Sequence, residues 1–174
     1  MIRNRSLLSL VSAFVLLQQS GCNKINDGTF VEPITIYEKV KGTWKLDDIV
    51  QVDHTAKTGN IKPDELNLYS EFEFPSFNIK LNVDEKNAPT SYEVTGNAPE
   101  LFPNKGFWDL DVSFVQANGG SPQLLLYTDA SKSSLVGKLT IAALPGSTPK
   151  MDLILTRFSE GGAFVSYQYK LSTK

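Results

Sequence analysis

Few side chains of this 174-residue chain are of the types that catalyse reactions or bind metals. His54 is the only histidine and Cys22 the only cysteine. A single imidazole without a nearby thiolate or a convincing set of carboxylates does not make a metal site, so no metal ligands are predicted. His54 lies in a long predicted connection, where we expect a solvated loop histidine rather than a gate over a pocket.

One pair of carboxylates has a spacing that could support acid–base chemistry. Asp109 and Asp111 lie on the same face of a predicted strand, as two carboxylates must to flank a glycosidic bond. Their neighbours Trp108, Leu110 and Val112 form the apolar set, so the aspartates should face water. The sequence has no Gly-x-Ser-x-Gly elbow, phosphate-binding loop or His-Glu-x-x-His motif. We therefore predict no catalytic residue, no cofactor and no enzymatic activity.

The amino terminus predicts export. Arg3 and Arg5 precede an apolar run from Leu7 to Leu17, and small residues follow it. This is the layout of a secretory signal peptide, and the run is shorter than the roughly 20 apolar residues that span a bilayer. Residues 1–21 are accordingly predicted to be removed.

Cys22 stands directly after this segment and predicts a lipid anchor. Ser20-Gly21-Cys22 resembles the lipobox of bacterial lipoproteins, in which the cysteine sulfur receives a diacylglycerol, although Gln19 replaces the usual leucine. The alternative is an ordinary signal peptide that leaves a free thiol. Residues 22–32 have no periodicity and are predicted to be a tether. We expect a lipid-anchored protein of the cell envelope, with the outer membrane favoured and its periplasmic and exterior faces both open.

The charge of the mature chain argues against two kinds of partner. Without the signal it has 15 basic and 19 acidic residues, a formal net charge of −4. A mildly acidic surface does not favour nucleic acid. It does not favour an electrostatic hold on anionic lipid either, so membrane attachment should depend on the lipid at Cys22.

Period-two alternation dominates the chain from Thr43 onward, with an irregularity predicted at Asp47-Asp48. Such alternation is typical of antiparallel strands with one buried and one wet face. Turns rich in Gly, Asn and Pro join neighbouring strands, and Thr35 and Glu38 have the spacing of a helix capping box. We predict one all-β domain over residues 33–174: an antiparallel up-and-down barrel of about eight or nine strands after a short helical turn, with a β-sandwich as the alternative. The predicted strands cover 44–52, 71–74, 77–83, 91–95, 108–114, 123–128, 135–144, 150–158 and 164–172.

Gly42-Thr43-Trp44, on the first strand, resembles the Gly-x-Trp signature of lipocalins. The resemblance implies that Trp44 seals the closed end of a barrel and that a basic residue from a late strand packs across it. Arg157 is the only arginine of the mature chain, and it shares the parity of Leu153 and Leu155, which predicts that it points inward at a barrel end. We therefore predict a Trp44–Arg157 contact. The whole layout also resembles a family of small lipocalin-like lipoproteins of unknown function from Gram-negative gut anaerobes, which implies fold and location but no activity.

Two interpretations of the barrel interior follow. Inward aromatic side chains could line a cavity for a small apolar or amphipathic ligand, or they could simply fill the core. In the second case the protein would be an interaction module that contacts another envelope protein or a glycan through its loops. Leu101 and Phe102, between two prolines, could form a lip, contact a partner or plug one end. The ligand-binding candidates are Phe72, Phe74, Phe77, Trp108, Tyr127, Tyr167 and Tyr169.

Overall fold

Nine antiparallel strands form the fold of the described chain, which comprises Gly28 and residues 31–174 of this computed structural model. The predicted signal peptide (1–21), Cys22 and most of the predicted tether (22–32) lie outside the described residues. The strands are β1 (Gly42–Asp53), β2 (Glu65–Asn67), β3 (Asn78–Val83), β4 (Pro89–Thr95), β5 (Lys105–Leu110), β6 (Gln123–Tyr127), β7 (Leu135–Ala143), β8 (Lys150–Ser159) and β9 (Gly162–Thr173).

Eight of the strands close into a barrel. They pair in the order β1-β3-β4-β5-β6-β7-β8-β9, and β9 returns to β1 along a ladder from Trp44↔Thr173 to Asp53↔Val165. The short strand β2 pairs with Val50–Val52 of β1, on the edge that β3 leaves free. The predicted antiparallel barrel is therefore confirmed, and a closed ladder removes the open edges that a sandwich would have to protect.

A short helix leads into the first strand. Helix α1 (Ile36–Val40) has the predicted capping box: the Glu38 amide donates to Thr35 Oγ1 over 3.2 Å, and the Thr35 amide donates to Glu38 Oε2 over 2.7 Å. Ile36 and Val40 are completely buried, so the helix covers one end of the barrel. A second helix, α2 (His54–Thr58), follows β1 directly. None of the helices among the described residues is long and apolar enough to cross a membrane.

The two barrel ends are named from the direction of β1. The helix end is where α1 lies, β1 begins and β9 finishes; the plug end is where β1 finishes and β9 begins. The segment 96–104, which joins β4 to β5, lies at the plug end, and we call it the plug loop. The register between β1 and β9 shifts between Leu46 and Asp48, at the irregularity that the sequence predicted.

Two strand predictions were wrong. The predicted strand 71–74 is a turn followed by a 3₁₀ turn (Phe74–Ser76), with Phe72 and Glu73 in the left-handed region at φ of 52° and 62°. Pro75 lacks the N–H that a ladder needs, which disfavours a strand there. Strand β5 stops at Leu110 instead of continuing to residue 114, because the Asp111 carboxylate accepts the Gln123 amide over 2.7 Å and the chain turns away.

Candidate functional site

The barrel axis is filled by side chains at the helix end. Trp44 is 1% exposed, and its indole Nε1 donates to the Val40 carbonyl over 2.7 Å, which joins the first strand to α1. Trp108 is fully buried and donates from Nε1 to the Asn82 carbonyl over 2.7 Å. Both indoles thus have a partner for their only polar atom, as a buried tryptophan requires. Aliphatic side chains of the eight barrel strands continue this packing along the axis, including Leu46, Ile79, Leu124, Leu139, Leu153 and Leu171.

An aromatic cluster fills the plug end. The ring centroids of Phe77, Phe102 and Tyr169 lie 5.6–6.4 Å apart, with tilted and edge-to-face geometry. Phe102 is 9% exposed and comes from the plug loop, whose position is fixed by a 2.9 Å hydrogen bond from the Tyr92 hydroxyl to the Pro103 carbonyl. Phe102 thus fills the plug end of the barrel, and Leu101 beside it is half-buried against the core.

Burial also changes the acidity of two phenols, those of Tyr92 and Tyr169. Burial raises the pKa of Tyr92 to about 12, and burial raises the pKa of Tyr169 further, with a smaller contribution from Tyr167. Desolvation disfavours the phenolate, so both side chains stay neutral throughout the physiological range. They can donate and accept hydrogen bonds in the barrel but carry no charge to a ligand.

Five of the seven predicted cavity residues face the barrel axis or one of its ends. Four are buried in the core, and Tyr167 is half-buried on the inward face of β9. The buried four are Phe74, Phe77, Trp108 and Tyr169.

The other two predicted positions were wrong. Phe72 is 65% exposed, because the left-handed turn that replaces the predicted strand directs it outward. Tyr127 lies on β6 one residue after Leu126, which is fully buried, so its side chain is on the opposite, outer face of the sheet.

The predicted Trp44–Arg157 contact is also wrong. Trp44 pairs with Thr173 of β9, whereas Arg157 pairs with Val165 at the opposite end of the same strand. Arg157 shares the inward parity of Leu155 but stands at the plug end, where its guanidinium donates to the Leu101 carbonyl. The basic residue therefore fixes the plug loop rather than covering the indole.

At the plug end of the described chain, strands β7 and β8 stop pairing with each other before either strand ends. Their ladder runs as far as the pair Leu139↔Leu155 and stops, although both strands continue. The two strands diverge there around a cleft of about 540 Å³, which we call the β7–β8 cleft. Its lining is Gln123 of β6; Leu135, Val136, Gly137, Lys138 and Thr140 of β7; and Ile154, Leu155, Thr156, Arg157 and Phe158 of β8.

The DUF5004 family, described as a domain of unknown function, matches residues 18–172. This chain belongs to that family. No curated protein and no solved structure matches it. Membership of this family agrees with the predicted resemblance to a family of unknown function, and the closed barrel agrees with the predicted lipocalin-like architecture. Neither finding identifies a substrate or a partner.

The cleft of this DUF5004 domain was missed by the sequence reasoning. Alternation accounts for Leu139 and Leu155, but not for the adjacent apolar residues Leu135 and Val136, which stand where the register between β6 and β7 shifts. Phe158, at the end of β8, is a large apolar residue that is 68% exposed. Consecutive apolar residues at strand ends were the available signal, but the separation of two strands cannot be read from either strand alone.

In the DUF5004 domain, the histidine and the aspartate considered as candidates for chemistry make structural hydrogen bonds. His54 begins α2, and its Nε2 lies 3.0 Å from the Oγ of Ser166, which is 2% exposed, so the imidazole packs α2 against β9 instead of standing free in solvent. Among residues 31–174, no three side chains of the types His, Cys, Asp and Glu converge as metal ligands would. The Asp111 carboxylate is taken up by the turn after β5.

Asp109 is the centre of a hydrogen-bonded network on the outer face of β5. Its two oxygens accept from the Tyr37 hydroxyl of α1 and from Lys132 Nζ, both over 2.8 Å. Burial opposes its ionisation, but the hydrogen bonds from Lys132 and Tyr37 outweigh that effect and lower its pKa below the usual range. The carboxylate therefore ties the helix and the 128–134 connection to the barrel.

The lowered pKa of Asp109 makes stability depend on pH on the acid side. Because the folded pKa lies below the unfolded one, its contribution is complete above the unfolded value near 3.8 and is lost as pH falls through the folded pKa. Asp109→Asn should lower the free energy of unfolding at neutral pH by about 1–2 kcal/mol, as for a partly exposed charged hydrogen bond. It should also flatten the decline in stability below pH 4.

Urea unfolding across a pH series measures both effects. Asp111→Asn is the matched control, because an asparagine oxygen can still accept the Gln123 amide. If the free energy of unfolding falls equally steeply with decreasing pH in Asp109→Asn and in the wild type, Asp109 does not contribute in this way.

Proposed function

We propose that this DUF5004 protein is a lipid-anchored, non-catalytic interaction module of a Gram-negative cell envelope, which contacts another envelope protein through the plug end of its barrel. The observation that carries the proposal is a group of exposed apolar side chains on three adjacent strands at that end. Leu135 is 52% exposed, Val136 39%, Phe158 68% and Phe164 43%. Apolar side chains exposed together in this way are typical of protein–protein contact sites.

The filled axis supports an interaction module over a container. A ligand inside the barrel would have to displace Phe102 and separate it from Phe77 and Tyr169, which lie about 6 Å away from it. Exposing one such ring costs about 1.5–3 kcal/mol, before the loss of its aromatic contacts is counted. A small apolar ligand in the axis is therefore not part of the proposal.

The direction of the chain supports contact at the plug end. The chain enters the barrel through α1 at the helix end, so a lipid on Cys22 would connect to that end and leave the plug end for contact with a partner.

The exposed side chains are large enough to contribute to binding. Burying Phe158 alone against a partner would contribute roughly 1–2 kcal/mol, because about two-thirds of the ring is available. Four such residues suffice for the centre of a small interface.

Site-specific photo-crosslinking in the native membrane tests this proposal. A photoreactive residue in place of Phe158 should yield one discrete protein adduct, and the same residue at Lys86, in the β3–β4 turn of the helix end, should not. Changing Leu135 to Ser should remove the adduct at position 158. A crosslinked product that is removed by glycosidase but not by protease would indicate that the partner is a glycan. Equal crosslinking from positions 158 and 86 would contradict contact at the plug end.

Palmitate labelling tests the anchor. Cys22→Ser should abolish incorporation of labelled acyl chains and release the protein from the membrane fraction, since the lipid is its proposed attachment. Membrane retention of the variant without label would contradict this part of the proposal.

A further inference from the structure

An exposed loop without charged side chains lies at the helix end of the barrel, which is the end that the chain enters from Cys22. The β5–β6 loop comprises residues 111–122, and none of the eleven residues that follow Asp111 in it is charged. Residues 113–121 are all exposed. Charged residues make up 21% of the chain, so about two would be expected in a run of eleven.

Apolar side chains are exposed on this loop and beside it. Phe114 is 49% exposed, Val115 59%, and Ile34, just before α1, 66%. The Ile36 amide donates to the Ser113 carbonyl over 2.9 Å, which brings the two segments together at the same end of the barrel. Exposed apolar side chains that are grouped in this way indicate a contact surface for a protein or a membrane.

The turn beside this loop is also uncharged. The β7–β8 turn comprises residues 144–149, with the sequence Leu-Pro-Gly-Ser-Thr-Pro. The Ile141 amide, close to the start of this turn, donates to the Pro122 carbonyl over 2.9 Å, so the turn lies next to the β5–β6 loop. The two connections together form one uncharged side of the helix end.

The other connections of the described barrel carry charge. The β3–β4 turn, at the same end, contains Asp84, Glu85 and Lys86. Charged residues also occur in every connection at the plug end, which are the segments 54–64, 96–104, 128–134 and 160–161. Because a charged side chain is costly to move into lipid, the uncharged side of the helix end is the part suited to a bilayer.

The proposed anchor would hold this end near the membrane. Cys22 and Ile34 are twelve residues apart, and an extended chain advances at most about 3.3–3.6 Å per residue, so a lipid on Cys22 would keep the helix end within about 40 Å of the bilayer. Linking two sites raises their effective concentration, so even a weak contact between the loop and lipid would form. The occupant that the chain itself brings to this surface is therefore the bilayer.

From these observations we propose that the β5–β6 loop inserts Phe114 and Val115 into the bilayer that holds the lipid of Cys22, with Ile34 beside them. This inference rests on the lipid anchor of the proposed function and adds the orientation of the barrel on the membrane. The apolar side chains would lie about 5–10 Å deep, at the boundary between the headgroups and the acyl chains. The plug end would then point away from the membrane, where a partner protein can reach it.

Fluorescence quenching by labelled lipid tests this contact on the acylated protein in vesicles of phosphatidylethanolamine and phosphatidylglycerol. Because the acylated Cys22 has no free thiol, Ala117→Cys gives a single site for a thiol-reactive fluorophore and leaves Phe114 and Val115 in place. The matched controls are Lys86→Cys, in the charged turn of the same end, and Phe158→Cys, at the plug end. The quencher is a nitroxide near the top of the lipid acyl chain.

Quenching should depend on the position of the fluorophore. At position 117 it should be about threefold stronger than at position 86, since inserted side chains lie about 5–10 Å deep, and it should be absent at position 158. Equal quenching at positions 117 and 86, or none at either, would overturn the inference. Quenching at position 158 without quenching at position 117 would mean that the plug end lies on the membrane, and would overturn it as well.

Two pairs of substitutions test which side chains make the contact. Phe114→Ser combined with Val115→Ser should reduce quenching at position 117 to the level at position 86, and both residues are exposed, so the fold should be retained. Leu135→Ser combined with Phe158→Ser removes exposed apolar side chains at the plug end and should leave quenching at position 117 unchanged. Equal effects of the two pairs, or no effect of the first, would overturn the inference; far-ultraviolet circular dichroism checks that each variant is folded.

Salt distinguishes an apolar contact from an electrostatic one. In vesicles of neutral phosphatidylcholine at about 1 M salt, where the Debye length is about 3 Å, the quenching at position 117 should persist. Its loss under these conditions would show that charges hold the loop on the lipid, and would overturn the inference.

The state of Cys22 separates failure of this inference from failure of the proposed function. A wild-type protein that reacts with the fluorophore would have a free thiol at Cys22, which would overturn the anchor and the loop contact together. An acylated protein without preferential quenching at position 117 would refute the loop contact alone. Crosslinking from position 158 would in that case still support the proposed contact at the plug end.

Discussion

Trp44→Ala is expected to lower the free energy of unfolding by about 4 kcal/mol, one of the two largest effects of a single substitution that we predict for this protein. The indole is 1% exposed and stands at the helix end of the barrel axis. Its removal leaves a cavity and also breaks the 2.7 Å bond from Nε1 to the Val40 carbonyl. Since Val40 is the last residue of α1, the helix should lose its fixed position on the barrel.

Urea unfolding followed by circular dichroism measures this effect. Trp44→Phe keeps most of the aromatic volume and loses the hydrogen bond, so it should cost about 1–2 kcal/mol and remain measurable if the alanine variant does not fold. Phe158→Ala, at an exposed ring, should change stability by less than about 0.5 kcal/mol. A loss for Trp44→Ala no greater than that of Phe158→Ala would contradict the role of the indole as the closure of the helix end.

The parts of the fold that sequence predicted are those set by local periodicity. Alternation along β3 determines that Ile79 and Leu81 face the axis, and the break at Asp47 is visible because two polar residues interrupt the period. The capping box of Thr35 and Glu38 is likewise a local rule. A closed barrel follows once many such strands are joined by short turns.

The parts that sequence did not predict depend on register between distant strands. Parity placed Arg157 on the inward face of β8 correctly, but its height along the barrel depends on pairing with Val165, which no local pattern reports. The β7–β8 cleft depends in the same way on where the ladder ends at Leu139 and Leu155. Phe72 is a different case: local backbone geometry before Pro75 overrode an apparent alternation.

The second large loss of stability is predicted for substitution of a glycine at the start of the plug loop. Gly96 has a φ of 108°, which side-chain-bearing residues rarely adopt, and a Cβ built on it would lie 2.3 Å from the Ser76 carbonyl oxygen. The Ser76 hydroxyl oxygen accepts the Asn97 amide over 2.8 Å, so the loop and the 3₁₀ turn are held together at this point. Gly96→Ala should therefore destabilise the protein by about 3 kcal/mol or more, because backbone must move in addition to the strain at positive φ.

The effect of Gly96→Ala should also be local in a way that distinguishes the plug from the rest of the core. Displacing the start of the loop should expose Phe102 and separate it from Tyr169, so binding of a hydrophobic dye and loss of near-ultraviolet circular dichroism should appear while the far-ultraviolet signal of the barrel persists. Gly146→Ala is the matched control, since nothing lies within 4 Å of its added Cβ and its φ is not positive. If both glycine variants unfold at the same urea concentration as the wild type, the close approach of Gly96 to Ser76 does not hold the plug. If Gly96→Ala loses the far-ultraviolet signal of the barrel together with the near-ultraviolet signal, the plug end unfolds with the rest of the barrel as a single unit. In that case a ligand could not enter the axis by displacing Phe102 alone.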